Sequence, residues 1–146
     1  LFCHLIFFTL DRLYSSTIYT YDFSPLFVTW KKVVNGYEPR LRGCIGTLSA
    51  RDIVNGFKDY ALTSALRDHR FPPIQAKELP FLQCTVSILT NYEDAANYLD
   101  WEVGKHGIII EFTDPDYNTK RSATYLPDVA AQEGWFCCLL KWIFCT

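Results

Sequence analysis

Residues 26–46 constrain the fold most, because two strand-forming patterns flank a tight-turn signal there. Residues 26–31 are rich in β-branched and aromatic side chains with partial alternation, which is typical of a β-strand. Asn35 and Gly36 tolerate the positive φ values that a tight hairpin turn requires. Residues 40–46 supply the returning strand. The sequence therefore predicts a β-hairpin.

An amphipathic helix is predicted after the hairpin. Ser49 and Asp52 have the spacing of a capping box, in which each side chain bonds to the backbone of the other residue. Helical spacing then predicts a buried face, formed by Ile53, Val54, Phe57, Tyr60, Ala61, Ser64 and Ala65. We therefore predict a helix over residues 51–67. Gly56 costs this helix roughly 1 kcal/mol relative to alanine, which indicates close packing at that position.

The second half of the chain predicts further strands and one more helix. Residues 82–90 alternate with period two, and residues 108–112 and 121–125 have the pattern of a second hairpin. Pro127 suits the first turn of a helix that runs to about residue 133. Hairpins mixed with separated helices predict a single α+β domain, in which helices flank a mainly antiparallel sheet.

Three segments lack a decisive pattern. Residues 1–10 are apolar but too short to span a bilayer, and they fit the end of a core helix or strand. Residues 11–25 are rich in Tyr, Ser and Thr without a period, which indicates a loop. Residues 91–100 fit either a short helix or an irregular link. Because residues 1–10 are too short to span a bilayer, we expect no association with a membrane.

The composition is that of one globular domain. At 146 residues, with 49% apolar and 21% charged residues, the chain can bury a substantial core. Its net charge of −2, from 14 basic and 16 acidic residues, does not favour nucleic acid as a partner, since such binding needs a concentrated basic face. Six cysteines without CxxC spacing predict reduced thiols in an intracellular protein.

The motif Leu41-Arg42-Gly43-Cys44-Ile45-Gly46-Thr47 carries the most varied chemistry of the chain. On a strand, Arg42, Cys44 and Gly46 share one face. Cys44 could be a nucleophile whose thiolate Arg42 stabilises, although no histidine has a spacing that supplies a general base. The favoured alternative makes Cys44 a small apolar filler beneath a helix. The glycines could approach a phosphate before a helix, but close backbone packing is the favoured explanation.

The remaining candidates are single residues. Arg70 could clamp an anionic group, or it could simply complement the negative end of the preceding helix. His106 could be an exposed binding residue, although a turn residue is favoured. Glu78 has the pattern of a solvated surface residue. No pair of histidines or cysteines has metal-site spacing, so we predict neither a metal nor a cofactor.

Residues 40–50, Arg-Leu-Arg-Gly-Cys-Ile-Gly-Thr-Leu-Ser-Ala, resemble the signature of the AMME chromosomal region gene one domain, the AMMECR family. The resemblance covers residues 25–135 and is closest to animal, nuclear-associated members; it rests on segments 27–31, 40–50, 60–66, 68–73, 78–80, 86–90, 99–104, 106–108, 123–130 and 134–135. It implies a compact α+β domain and a functional role for the motif. The family has no established molecular activity, so the resemblance implies no catalytic residue.

Both ends of the chain depart from the family pattern. Residues 1–24 are divergent, and a partial helix, whose residues 2–5 resemble the end of the family's first helix, is expected to precede a loop. Residues 25–135 form the AMMECR-like domain, and residues 136–146 are a divergent apolar tail. We therefore expect aberrant or truncated ends, as a misassigned gene end or a splice variant would produce.

Two functions are consistent with these features. The first is an interaction module of the nucleus or cytoplasm that binds a protein partner through the motif surface, with candidate binding residues Arg42, Gly43, Cys44, Ile45, Gly46, Arg70 and His106. The second is an enzyme, or the partner of one, in which Cys44 is a reactive thiol toward a small-molecule or nucleoside-type ligand. The first is favoured, because no acid–base or metal constellation accompanies the motif, and the sequence establishes no catalytic residue.

Overall fold

The computed structural model describes residues 3–12, 23–34, 37–97, 100–114 and 116–132. Within them the elements are, in chain order, β1 (Cys3–Arg12), β2 (Phe23–Lys32), β3 (Arg40–Asp52), α1 (Ile53–Leu66), a 3₁₀-helix (Ala76–Phe81), β4 (Leu82–Asp94), β5 (Gly107–Asp114), β6 (Thr119–Tyr125) and α2 (Pro127–Gln132). The predicted α+β class with antiparallel strands is confirmed. The described residues form two compact units, residues 11–89 and residues 3–10 with 90–132.

The unit of residues 11–89 contains the motif. Here β2 lies between β3 and β4 and is antiparallel to both; the β2–β3 pairing was predicted, and the β2–β4 pairing was not. The register places Thr29 opposite Cys44 on one side and opposite Thr85 on the other. Residues 35 and 36, the predicted hairpin turn, lie outside the described part of the chain.

Helix α1 covers one face of these strands. Leu26, Val28, Ile53 and Ile88 form the buried cluster between the helix and the sheet. The indole Nε1 of Trp30 donates a hydrogen bond of 3.0 Å to the carbonyl of Ala61, which ties β2 to α1. Gly43 lies directly under the helix, because a Cβ atom there would overlap the carbonyl oxygen of Ser64.

The start and the buried face of α1 differ from the prediction. Asp52 is the N-cap, and its carboxylate accepts a hydrogen bond of 2.8 Å from the Asn55 N–H. The predicted capping box with Ser49 is wrong, because Ser49 still belongs to strand β3. Val54 and Phe57 are exposed, whereas Gly56 and Ser64 are buried beside Ile53. Tyr60 and Ala61 pack against the buried cluster as predicted, and the small residues Gly56 and Ser64 let the helix approach the sheet closely.

The second unit, residues 3–10 and 90–132, has its own core. Strand β5 lies between β1 and β6 and is antiparallel to both, which confirms the predicted second hairpin. Trp101, Ile108, Ile110 and Ala130 form its buried cluster. Helix α2 begins at Pro127 as predicted, and residue 133 lies outside the described residues.

The least patterned segments are mostly extended. Residues 3–12 form strand β1, which is one of the two alternatives for residues 1–10 and not the partial helix that the resemblance implied. Of the predicted loop 11–25, residues 11–12 and 23–25 belong to strands, and the rest lies outside the described residues. Strand β4 continues to Asp94, so residues 91–94 are neither helix nor link. The apolar tail 136–146 also lies outside the described part of the chain.

Gly43→Ala should destabilise the fold, because its methyl group would meet the Ser64 carbonyl oxygen in a place that backbone atoms fill. We expect the free energy of unfolding, measured by urea denaturation, to fall by about 1–3 kcal/mol. Gly56→Ala is the matched control. Its Cβ would meet Leu26 Cδ2 at 3.0 Å and Arg51 Cβ at 3.1 Å, which is looser than the overlap at Gly43, and roughly 1 kcal/mol of helix propensity offsets the crowding, so we expect a smaller loss. A Gly43→Ala protein as stable as the wild type would contradict the close contact.

Candidate functional site

Arg42 occupies a β-bulge. The β2–β3 register passes from Trp30 opposite Gly43 to Lys31 opposite Leu41, which leaves Arg42 as an extra residue. A bulge redirects the side chain of the extra residue away from the regular ladder. The guanidinium of Arg42 donates to both carboxylate oxygens of Glu78, each at 3.0 Å. The bulge therefore aims Arg42 at a segment 36 residues further along the chain.

The same guanidinium binds the chain that leads into the 3₁₀-helix. It donates to the carbonyls of Pro72 at 2.7 Å and Pro73 at 3.3 Å. Glu78 in turn accepts a hydrogen bond of 3.0 Å from the backbone N–H of Gln75, at the start of the 3₁₀-helix. The Arg42 hydrogen bonds, followed by that of Gln75, lower the pKa of Glu78 to about 2. Arg42 therefore fastens residues 72–78 to β3, and the interpretation of Glu78 as a solvated residue is wrong.

A second ion pair occupies the outer edge of β3 at Cys44. The Cys44 N–H donates to Oδ2 of Asp68 at 2.9 Å, and Nη2 of Arg70 donates to the Cys44 carbonyl at 2.9 Å. Arg70 also binds Asp68 through Nε at 2.9 Å and through Nη2 at 2.7 Å. Within this unit β3 has a strand neighbour on one side only. The Asp68–Arg70 pair therefore bonds to the N–H and the carbonyl of Cys44, as a neighbouring strand would do at this position.

Asp68 is a buried carboxylate that stays ionised. Only 4% of the residue is exposed, and its oxygens accept hydrogen bonds from the Arg70 side chain and from the backbone of Cys44 and Arg70. The Arg70 side chain is the largest influence, and together these bonds lower the pKa of Asp68 to about 2 although burial opposes them. Arg70 is thus already neutralised, so its guanidinium is not the isolated anion clamp that the sequence allowed.

The Cys44 thiol lies on the face of β3 opposite to α1. The N–H and carbonyl of Cys44 point away from β2. Thr29 and Cys44 therefore form a non-hydrogen-bonded antiparallel pair, in which the two side chains approach closely. The Thr29 hydroxyl accordingly donates to Sγ at 3.2 Å. Burial raises the pKa of the Cys44 thiol, although the Thr29 hydrogen bond and Arg70 oppose it. The thiol is therefore protonated near neutral pH.

Two expectations about Cys44 are therefore wrong. Arg42 does not activate the thiol, because its guanidinium is bound to Glu78 and to the two proline carbonyls. Cys44 is not a filler beneath a helix either, because Gly43 is the residue that lies under α1. Ile45, which alternation places on the helix side with Gly43, is half-buried.

The glycines of the motif are explained by close packing. A Cβ atom at Gly46 would overlap the Phe27 ring and the Leu26 carbonyl oxygen. The phosphate interpretation has no support, because α1 begins only at Ile53 and the carboxylate of Asp52 already caps it. A negative group at that position repels a phosphate rather than attracting it.

His106 belongs to the other unit and acts as a turn residue, as favoured from the sequence. Its Nδ1 accepts a hydrogen bond of 3.3 Å from the Glu102 N–H, and its carbonyl accepts one of 2.9 Å from Nε1 of Trp101. The structure thus brings Arg42, Cys44 and Arg70 into one unit, while His106 is held by its own local contacts.

The sequence did not identify Asp68 as a partner of the motif and misjudged Glu78. Asp68 follows the predicted helix and stands two residues before Arg70, which was a usable local signal for an ion pair. The Glu78 pairing had no such signal.

Among the described residues, no three His, Cys, Asp or Glu side chains are grouped to hold a metal ion. No helix in the described ranges is long and apolar enough to cross a membrane.

A family model described as AMMECR1 matches residues 11–141. The chain belongs to the AMMECR1 family. An uncharacterized protein of Arabidopsis thaliana is 83% identical over 111 residues, which are 76% of this chain and 52% of that protein. An uncharacterized protein of Saccharomyces cerevisiae is 41% identical over 126 residues, 75% of this chain and 50% of that protein. The chain spans about half the length of these curated relatives.

A solved structure supports the same family fold. The crystal structure of an uncharacterized protein from Pyrococcus horikoshii matches with a TM-score of 0.67 and 26% identity, over 87% of this chain and 63% of that one. The expected relation to animal members has no support, since a relative at 83% identity is a plant protein. The AMMECR1 relatives named above are uncharacterized, so their names assign no activity to this chain.

Asp68→Asn should remove a pH-dependent part of the stability. The folded pKa of about 2 lies below the unfolded value of about 3.9, so the carboxylate stabilises the fold above about pH 4 and this contribution is lost as the pH falls toward 2. Near pH 6 we expect the free energy of unfolding to fall by at most about 2 kcal/mol, because water screens the exposed Arg70.

Urea unfolding of Asp68→Asn and the wild type, at about pH 6 and about pH 2.5, measures this difference. Asp59→Asn, at an exposed position of α1, is the matched control. The gap between Asp68→Asn and wild type should shrink at the lower pH. An equal gap at both pH values would contradict the assigned role of the ionised carboxylate.

Proposed function

We propose that this AMMECR1 domain is a protein-interaction module, whose contact surface lies where the β2–β3 hairpin meets the 3₁₀-helix. Large apolar side chains are exposed there, by 38–68% of their surface. We call them the hairpin-end surface: Val33, Val34, Tyr37, Leu41, Leu79 and Phe81. The grouping of these exposed apolar side chains on neighbouring segments is the observation that carries the proposal, because exposed apolar patches mark binding sites.

Backbone contacts support the view that these residues belong to one surface. The Val33 N–H donates to the Phe81 carbonyl at 2.7 Å, which joins the hairpin to the 3₁₀-helix. Leu41 stands opposite Lys31 in the β2–β3 ladder, next to the bulged Arg42. Arg42 then connects β3 to the 3₁₀-helix through Glu78. In this proposal Arg42 is a positioning residue that holds the apolar side chains in place, rather than a contact residue.

The charges around the hairpin-end surface favour a partner with an acidic rim. Glu78 is already paired with Arg42, and Glu38 is the other carboxylate of the adjoining segments. Lys32 also lies 3.5 Å from Glu78, and the remaining cations of residues 31–42 and 72–81 are Lys31, Arg40 and Lys77. This local excess of positive charge contrasts with the net charge of −2 of the whole chain. Complementary charges at a rim increase association rates and partner specificity.

The alternative, a Cys44 thiol that reacts with a small-molecule or nucleoside-type ligand, is less well supported. The burial that raises the pKa of the thiol works against a thiolate. Asp68, the carboxylate bonded to the Cys44 backbone, is a weak base because its pKa is about 2. We place the binding activity inside the cell, on the basis of the unpaired thiols of Cys44 and Cys84.

Leu79→Ser with Phe81→Ser should weaken partner binding at least about tenfold, because both side chains would lose apolar contact area in the interface. Affinity purification with quantitative mass spectrometry identifies the partners, and titration of a purified partner measures the dissociation constant. Val54→Ser with Leu62→Ser is the matched control, because these two α1 residues are similarly exposed, by 68% and 55%. Equal recovery of every partner by wild type and the Leu79/Phe81 double variant would refute the proposed surface.

A further inference from the structure

The face of the β2–β3–β4 sheet opposite to α1 is polar around the middle of β2. The register places Thr29 between Cys44 of β3 and Thr85 of β4, and it places Lys31 opposite Gln83 of β4. Alternation along β2 puts Thr29 and Lys31 on the same face, because the extra residue of the bulge lies on β3. We call this surface the polar face and define it by five residues: Thr29, Lys31, Cys44, Gln83 and Thr85.

Lys31 gives the polar face an unbalanced positive charge. The residue is half-buried, and no described residue accepts a hydrogen bond from its ammonium or forms an ion pair with it. The Asp68–Arg70 pair at Cys44 adds no net charge, because its two members neutralise each other. Partial burial strengthens the attraction between an ammonium and an anion, since less water screens their charges. A single anionic group is therefore the partner that this charge favours.

Two hydrogen-bond donors flank Thr29. The Thr85 hydroxyl is half-buried and has no hydrogen-bond partner among the described residues. The Thr29 hydroxyl donates to the Cys44 Sγ at 3.2 Å, which leaves the thiol S–H able to donate elsewhere. Because β3 and β4 lie about 4.8 Å on either side of β2, the two donors are about 10 Å apart. A carboxylate over Thr29, with a hydrogen bond of about 3 Å on each side, largely fills this gap.

We propose that the polar face binds a small monocarboxylate, whose charged group lies against the Lys31 ammonium and between the Thr85 hydroxyl and the Cys44 thiol. One unpaired cation matches one negative charge, whereas the two charges of a phosphate favour a further cation. The hydroxyl and the thiol orient the carboxylate without adding charge, as the few polar groups of a small-molecule site do. The inference does not rest on the hairpin-end surface, although Leu41 borders both surfaces.

The test is an NMR titration of the ¹⁵N-labelled protein with sodium acetate, near neutral pH and at constant ionic strength. Acetamide, which has nearly the same shape and no charge, is the control ligand. The amide signals of Thr29, Lys31 and Thr85 should shift with acetate and stay in place with acetamide. For so small a ligand we expect a dissociation constant of about 1–10 mM.

Lys31→Gln should weaken acetate binding at least about tenfold, because the unbalanced charge is lost. Lys58→Gln, at an exposed position of α1, is the matched control and should bind acetate as the wild type does. Thr85→Val keeps the shape of the side chain without its hydroxyl and should weaken binding about three- to tenfold. Leu79→Ser with Phe81→Ser should leave acetate binding unchanged, which separates this proposal from the proposed function.

Three results would overturn the inference. One is the absence of saturable shifts at Thr29, Lys31 and Thr85 up to about 100 mM acetate, well above the expected dissociation constant. Another is wild-type affinity for acetate in Lys31→Gln, because the ammonium would then not hold the ligand. The third is tighter binding of inorganic phosphate than of acetate, because the ligand would then be a dianion.

Discussion

The two-point ion pair between Arg42 and Glu78 connects strand β3 to the 3₁₀-helix, and the proposed binding surface depends on it. The β-bulge is what makes this pair geometrically possible, because a regular ladder would hold Arg42 in the alternation of the strand. The guanidinium also binds two proline carbonyls, so a single side chain organises the segment that presents Leu79 and Phe81. In the proposed surface, Arg42 therefore positions the backbone of residues 72–78 and does not itself contact the partner.

The other motif residues have complementary structural tasks. Gly43 lets α1 approach the sheet, and Gly46 leaves space for the Phe27 ring. Cys44 is held at its backbone by the Asp68–Arg70 pair and at its sulfur by Thr29. The motif is thus a packed strand with a bulge at Arg42. This arrangement suits binding better than nucleophilic chemistry.

The sequence predicted those parts of the structure that depend on local signals. Alternation and turn residues located strands β2, β4, β5 and β6, and Pro127 marked the start of α2. The start of α1 was misjudged because Ser49 fits both a capping box and a strand, and only the pairing of Arg51 and Asp52 with β2 decides between them. The Arg42–Glu78 and Cys44–Asp68 contacts join residues 36 and 24 positions apart, and spacing carries no signal for such pairs.

Hydrogen exchange in an Arg42→Gln protein tests most directly whether Arg42 holds the 3₁₀-helix against the hairpin. The account predicts at least about tenfold faster exchange at the amides of Val33, which donates to Phe81, and Glu78, because local opening becomes easier when the ion pair is lost. The amide of Val28, in the middle of β2, should keep its wild-type rate. Unchanged exchange at both Val33 and Glu78 would contradict the positioning role of Arg42.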